Sequence, residues 1–380
     1  MPPQSRVSPQ GKPRDFSRLF AVFAAGGTLD SAEHFGSGHI HETFRVRTRE
    51  KGSPGYILQR VNDRVFPDVA RLMENIACVT GHIRGKLEAL PGADPDREVL
   101  TVVPTRDGRL FQREADGSCW RCFLFIGHQP PGDRPTDGRQ AFEAGRLFGR
   151  FITQLSDLPA ALLHETIPGF HDIAFRLGEF DESLRADPLK RRPEAAAEIA
   201  FVRERAVEMK RVHVAGAEGR IRLRITHNDA KFNNVLFDPH GRALCLIDLD
   251  TVMPGYIQYD FGDAVRSAAN TGREDDPDCG RVGVDLDVFR ELARGFLASL
   301  SGSLDAEEIR HLAFAAKLFA YMIGLRFLSD YLAGDKYFKT ERPGHNLQRA
   351  RAQFRLLQDM ERRFGEMEDI ISALAEGSTS

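Results

Sequence analysis

The stretch Thr226-His-Asn-Asp-Ala-Lys-Phe-Asn-Asn-Val-Leu-Phe-Asp238, followed by Ala243-Leu-Cys-Leu-Ile-Asp-Leu-Asp250, decides how the rest of the chain is read. Val235-Leu-Phe is a short apolar strand, Asp238-Pro-His-Gly241 carries the residues of a tight turn, and 243–249 reads as the returning strand. A hairpin of this length brings Asp248 back beside Asn234. Ahead of it, His227, Asp229 and Lys231 alternate along one loop. Taken alone, His-Asn-Asp is ordinary turn chemistry, because short polar side chains bond to nearby backbone. The ordered set of His227, Asp229, Lys231, Asn234, hairpin and Asp248 is far more specific.

Asp229 and Asn234 stand five apart, the spacing of a kinase catalytic loop. Phosphoryl transfer needs a group that orients the acceptor hydroxyl and receives its proton, and metal ions that neutralise charge on the phosphate oxygens. Asp229 can take that proton. Asn234 and Asp248 offer hard oxygen ligands, which suit Mg²⁺ rather than a soft metal. Lys231 can lie along the transferring phosphoryl group. Asp250 is either a second magnesium ligand or a substrate contact. His227 is expected to brace the loop through hydrogen bonds. Asp260 and Asp263, in Tyr259-Asp-Phe-Gly-Asp263, are expected to cap or anchor it.

Working outward, the first third is strand-rich, with strands expected over 41–48, 56–61, 98–105, 109–113 and 119–126, and one helix over 66–86. The loop 128–138 is a candidate boundary. Beyond it the pattern turns helical, including stretches at 172–186 and 193–212, with the hairpin block embedded at 221–249. The layout is α+β and that of a two-lobed, protein-kinase-like fold: a flexible tail over 1–14, a nucleotide-binding lobe over 15–127 built on a mostly antiparallel five-stranded sheet with a helix, and a helical catalytic and substrate-binding lobe over 128–380. A length of 380 residues suits two such lobes. The formal net charge of −3 argues against a nucleic-acid or membrane-surface partner. No apolar run reads as long enough to span a bilayer, and Met1 to Arg14 lacks the apolar core of a signal peptide, so a cytoplasmic protein is expected. The five cysteines are scattered. Cys119 and Cys122 have the spacing of half a metal knuckle, but they fall on a strand, where residues three apart face opposite sides.

The catalytic stretch, with Ile247-Asp-Leu-Asp250 and Tyr259-Asp-Phe-Gly-Asp263, resembles the aminoglycoside phosphotransferase/choline kinase superfamily, whose usual form is His-Gly-Asp-x-His-x-x-Asn followed by Ile-Asp. Longer strings narrow the resemblance: Gly36-Ser-Gly-His-Ile-His-Glu-Thr-Phe44, Leu58-Gln-Arg-Val-Asn62 with Val65-Phe-Pro67, Ile247-Asp-Leu-Asp-Thr-Val-Met-Pro-Gly255 and Arg326-Phe-Leu-Ser-Asp-Tyr-Leu332. Together they are similar to the N-acetylhexosamine 1-kinases, which phosphorylate the anomeric hydroxyl of GlcNAc and GalNAc. The resemblance runs from about residue 18 to 365.

It implies ATP and Mg²⁺, a nucleotide side built from Gly36, Gly38 and His39, and sugar contacts from Arg326, Tyr337 and Arg349. Gly36-Ser-Gly38 either lets backbone approach the phosphates or is a plain hairpin turn. A Gly-x-x-x-x-Gly-Lys-[Ser/Thr] loop is absent from the sequence. The third-strand lysine of most kinases is missing as well; Gln59 or Arg60 stands in its place, and Arg60 is the residue expected to face the phosphates, with Glu74 as its ion-pair candidate. The run 121–126 is expected to lead into the hinge with its side chains mostly in the core. Arginines, tyrosines and an amide around 326–351 suit a neutral, hydroxyl-rich sugar better than a polycation or choline. A kinase of the same fold acting on another sugar, homoserine, an amino alcohol or an aminoglycoside stays open, as does a non-catalytic nucleotide-binding protein.

Overall fold

The computed structural model describes residues 15–36, 40–129 and 132–377. They form two compact units that divide after Gly127. The expected tail over 1–14 lies outside the described residues.

The first unit contains α1 (Phe16–Ala21), β1 (Leu29–His34), β2 (Glu42–Thr48), β3 (Tyr56–Val61), α2 (Val69–Glu88), α3 (Pro95–Glu98), β4 (Val102–Val103), β5 (Gln112–Arg113) and β6 (Cys119–Leu124). The strands make one antiparallel, six-stranded sheet in the order β1-β2-β3-β6-β4, with β5 also paired to β6. This is one strand more than expected. The extra strand, β1, is polar (Leu-Asp-Ser-Ala-Glu-His) and sits at the sheet edge, where an alternating apolar pattern is not required. The strand expected over 98–105 shrinks to Val102–Val103, and Glu98 belongs instead to the short helix that Pro95 opens behind Asp94. Helix α2 begins at Val69, after Pro67, because the Asp68 side chain accepts the Arg71 N–H as an N-cap.

Strand alternation gives the sheet two distinct faces. Phe44, Val46, Tyr56, Leu58, Trp120 and Cys122 share one face, packed with Leu19, Phe20 and Phe23 into an apolar cluster. Thr43, Arg45, Ile57, Gln59, Arg121 and Phe123 share the other. Cys119 and Cys122 accordingly fall on opposite faces, and burial raises the pKa of both thiols.

The second unit contains α4 (Gly138–Gln154), α5 (Ile173–Ala186), α6 (Ala196–Arg205), α7 (Arg211–Ala217), β7 (Arg224–Thr226), β8 (Val235–Phe237), β9 (Ala243–Leu246), β10 (Met253–Gly255), α8 (Ile257–Ala268), α9 (Leu286–Ser299), α10 (Ala306–Arg310), α11 (Leu312–Ala333), α12 (His345–Arg362) and α13 (Phe364–Gly377). The helix expected over 193–212 breaks into α6, a 3₁₀ turn at Glu208–Lys210 and α7. At its centre α11 packs against α12, α8 and α5. By length and composition α11 is apolar enough to cross a membrane, which corrects the expectation that no run would be: Lys317, Arg326 and Asp330 interrupt the linear pattern, yet the mean hydropathy of its most apolar window still reaches 1.5. In this fold it is a core helix, with 89% of its most apolar window buried. Lys317 is accommodated by an ion pair to Glu208 at 2.9 Å.

Helices α4 and α9 meet through glycine. A Cβ on Gly145 would stand 2.0 Å from the Leu292 carbonyl oxygen, and one on Gly295 would stand 2.0 Å from that of Phe142. Both obstacles are backbone and cannot rotate away. Gly295→Ala is therefore expected to destabilise the protein by about 3 kcal/mol in urea unfolding. Gly85→Ala, on an open stretch of α2 with nothing within 4 Å, should instead stabilise by about 0.5–1 kcal/mol.

Candidate active site

Strand β7 pairs antiparallel with β10, matching Thr226 to Met253, and β8 pairs with β9, matching Val235 to Leu246. The loop between β7 and β8 carries Asp229 and Lys231. One further ladder bond, from the Ile247 N–H to the Asn234 carbonyl at 3.0 Å, extends the β8/β9 hairpin and returns Asp248 next to Asn234. Asp248 adopts a left-handed backbone (φ 62, ψ 53), which turns the chain into the 3₁₀ segment Leu249–Thr251. Its carboxylate is exposed and that of Asp250 is buried, with oxygens of the two lying within 4.8 Å.

The loop is held from several sides. Asp260, fully buried on α8, accepts the N–H groups of His227 (2.8 Å) and Asn228 (2.7 Å). Burial pushes its carboxyl up to about 6, against the pull of those donors. His227 is bonded through both ring nitrogens. Nδ1 accepts the Asp229 N–H (3.3 Å), which leaves Nε2–H to donate to the Ile247 carbonyl (3.0 Å). This imidazole joins the loop to the hairpin and lies against Phe148 and Phe151.

Asn228 occupies the position that is glycine in the usual form of the motif, and its φ of 61 explains why few other residues could replace it. Its amide donates to the carbonyls of Thr251 and Met253 and accepts from the Thr226 hydroxyl. His171, buried near the start of α5, donates from Nε2 to the Asn228 carbonyl at 2.7 Å; burial drives its pKa down to about 3, so it is a neutral donor. The sequence reading did not single out His171 or Thr251. Each side chain makes one bond to the loop backbone, from 57 and 24 residues away, and such bonds leave no local pattern.

Held in this way, Asp229 contacts both Lys231 and Asn234. Lys231 Nζ lies 2.9 Å from Oδ1, and Asn234 Nδ2 donates to Oδ2 (3.1 Å) and to the Asp229 carbonyl (2.8 Å). Burial alone would raise the Asp229 carboxyl, but Lys231, with His227 and Arg266, holds it below the ordinary value. Burial likewise opposes the charge on Lys231, and Asp229, Glu274 and Asp263 outweigh it and raise its pKa. Behind the loop, Arg266 bridges Asp263 and Glu274 at 2.8 Å each.

Arg326 on α11 lies over the rings of Phe170 (4.9 Å), Tyr337 (5.7 Å) and Phe338 (5.6 Å). Burial and the nearby Arg176 lower its pKa, while Tyr337 and Asp229 act in the opposite sense, so the guanidinium lies within electrostatic reach of the Asp229 carboxylate. Tyr337 is 48% exposed, in a loop whose N–H groups at 336, 337 and 338 all donate to Asp330. Asn346 is buried and donates to Asp330 and Asp335. Arg349 binds the Lys339 carbonyl and Asn346 Oδ1, so it serves the same loop.

In the first unit, Gly36 has φ +80 with open space where a Cβ would sit, while Gly38 and His39 lie outside the described residues. Arg60 shares the face of Tyr56 and Leu58 and pairs with Glu42 at 3.5 Å. Gln59 points to the other face. Its amide accepts from Arg121 Nε (3.0 Å) and donates to the Thr43 hydroxyl (2.9 Å).

Residues 31–292, well over half of the chain, match the phosphotransferase enzyme family. Solved structures show the same fold at low identity. A microcompartment-associated aminopropanol kinase aligns with a TM-score of 0.60 at 19% identity, covering 93% of this chain and 98% of its own. The amicoumacin kinase hAmiN, in complex with AMP-PNP, Ca²⁺ and amicoumacin, gives 0.57 at 11%, covering 93% and 92%. An aminoglycoside phosphotransferase from Alicyclobacillus acidocaldarius gives 0.56 at 12%, covering 92% and 93%.

The raised Asp260 value has a measurable consequence. Its folded pKa of about 6 lies above that of an unfolded aspartate, so the native state holds this proton more tightly. The stability it contributes is complete below the unfolded value near pH 4 and is lost as pH rises through about 6. Urea unfolding of wild type and Asp260→Asn should show the wild-type advantage shrinking by about 3 kcal/mol between pH 4 and 7.

Proposed function

We propose that this chain, which belongs to the phosphotransferase enzyme family, is an ATP- and Mg²⁺-dependent kinase that phosphorylates the anomeric hydroxyl of an N-acetylhexosamine, with Asp229 as the catalytic carboxylate. The observation that carries this reading is the Asp229 carboxylate itself, fixed between Lys231 at 2.9 Å and Asn234 at 3.1 Å on a loop tied down through His227 and Asn228. The first unit is assigned the nucleotide and the second the acceptor.

Asp229 orients the acceptor hydroxyl and takes its proton. A carboxylate held below the ordinary pKa is a weak base, and a weak base suffices here: the transition state is loose, the proton moves late, and an anomeric hydroxyl is more acidic than an ordinary alcohol. Lys231 keeps the carboxylate ionised and supplies positive charge beside the reacting oxygens.

The donor set fits a hard divalent cation. Asn234 spends its amide nitrogen on Asp229, which leaves its Oδ1 as the side-chain ligand, and Asp248 and Asp250 bring carboxylate oxygens within 4.8 Å of each other. Magnesium bound there would neutralise charge on the phosphate oxygens.

The acceptor assignment draws on Arg326. A guanidinium framed by Phe170, Tyr337 and Phe338 repels a polycationic aminoglycoside or choline and offers donors to a neutral sugar and its acetamido carbonyl. Tyr337 can stack on or bond to the sugar, and Arg349 braces their loop.

ATP consumption measured over GlcNAc, GalNAc, glucose, galactose, choline, homoserine and kanamycin tests the reading. Turnover is expected with the two acetamido sugars alone, and Asp229→Asn should lower kcat by about a thousandfold or more. Arg326→Ala should raise the sugar KM while leaving that for ATP unchanged. Turnover with another acceptor would keep the mechanism and overturn the substrate. Failure to bind ATP would overturn both.

A further inference from the structure

Helix α11 carries Arg326 and Asp330 one turn apart, so the two side chains share a face. Arg326 is framed by the rings of Phe170, Tyr337 and Phe338. Asp330 is buried and gathers the loop that supplies two of those rings. Four consecutive backbone N–H groups converge on it. That of Asp335 reaches its carbonyl (2.8 Å), those of Lys336 and Tyr337 reach Oδ1 (2.8 Å each), and that of Phe338 reaches Oδ2 (2.9 Å). The Asn346 amide on α12 adds a further donor to Oδ2 at 2.9 Å. A run of N–H groups turned to one side is ordinarily a cradle for an anion, and here the chain's own carboxylate fills it.

Ending the helix does not require this carboxylate. Gly334, at φ 96, already closes α11 with its N–H on the carbonyls of Asp330 and Tyr331. What the carboxylate adds is the placement of the next three residues, through bonds to an ionised acceptor that are stronger than neutral ones. The rest of the loop is fastened as well. The Asp335 side chain binds Arg191 (2.6 Å) and Asn346 (2.8 Å), Phe338 packs on Phe327 with ring centres 4.6 Å apart, and Arg349 holds the Lys339 carbonyl at 3.0 Å. Tyr337, in the middle of this arrangement, still faces outward, with its ring edge-on to Phe338 at 4.8 Å. A loop fixed this firmly around an exposed aromatic ring holds that ring in place without burying it, which is what a preorganised contact for a ligand requires.

We infer that Asp330 is a positioning residue for the acceptor: it holds Tyr337 and Phe338 against Arg326, so that the acceptor meets a ring and a guanidinium already in place. Asp330 touches no acceptor itself and acts through Tyr337. The inference rests on the kinase reading above and on the acceptor side assigned there. With the carboxylate charge removed the loop opens part of the time, and apparent acceptor affinity falls in proportion to the fraction of molecules in which it is closed.

Steady-state kinetics of the full chain with Mg·ATP and GlcNAc test it. Asp330→Asn keeps the side-chain volume and loses the charge; it should raise the GlcNAc KM by about tenfold, with kcat and the ATP KM changed by no more than about twofold. Tyr337→Ala supplies the discriminating background. Because Asp330 acts through that ring, adding Asp330→Asn to Tyr337→Ala should raise the GlcNAc KM by no more than about a further twofold. If Asp330→Asn does not fold, Asn346→Ala, which takes one donor from the same carboxylate, carries the same comparison. If the wild type turns over another acceptor instead, the substrate reading falls and the same comparison is made on that acceptor. An unchanged acceptor KM in Asp330→Asn, a parallel rise in the ATP KM, or full additivity with Tyr337→Ala would overturn the inference, the last two marking a general structural role. Wild-type protein that turns over no acceptor would overturn the kinase reading and this inference with it, a result separate from any difference among variants.

Discussion

A single buried carboxylate organises the second unit. Asp260 accepts two consecutive backbone N–H groups, those of His227 and Asn228, and so sets the path of the chain immediately before Asp229, the proposed catalytic carboxylate. Two donors to one ionised, fully buried group are worth more than two neutral bonds, and both would be costly to leave unmade. The burial that strengthens them also raises the carboxyl to about 6, so the arrangement is maintained against a standing desolvation cost. That expense is what one expects of a part retained for geometry rather than for stability.

The other restraints converge on the same few residues. His227 carries the position of the loop to the hairpin through Ile247, and the hairpin in turn places Asp248. Asn228 can adopt its left-handed backbone because its amide is satisfied by Thr251, Met253 and Thr226. Opposite it, Gly255 leaves the necessary room: a Cβ there would stand 2.3 Å from the Thr226 hydroxyl and 2.8 Å from the Asn228 amide oxygen. The proposed chemistry would then need little movement of these three groups, since Asp229 already contacts Lys231 and Asn234.

Much of this was readable from the sequence, because the catalytic stretch is local. A loop, a turn and a returning strand within about 25 residues leave a spacing that linear inspection can catch, and the α+β, kinase-like architecture followed from it. What escaped were partners distant in sequence. His171 reaches Asn228 through one side-chain bond, and nothing in the surrounding residues marks it. The polar edge strand β1 has no apolar alternation to announce it. Which sheet face each of Gln59 and Arg60 takes is set by the strand register, which the sequence leaves open.

The most direct test of the account is a crystal structure of the ternary complex with AMP-PNP, magnesium and GlcNAc, measuring the distance from the sugar C1 hydroxyl oxygen to the nearer Asp229 carboxylate oxygen. The account predicts hydrogen-bond contact at about 2.6–3.2 Å, with Asn234 and Asp248 ligating the metal and that hydroxyl facing the γ-phosphate. A different hydroxyl against Asp229, or a sugar bound away from it, would contradict the account.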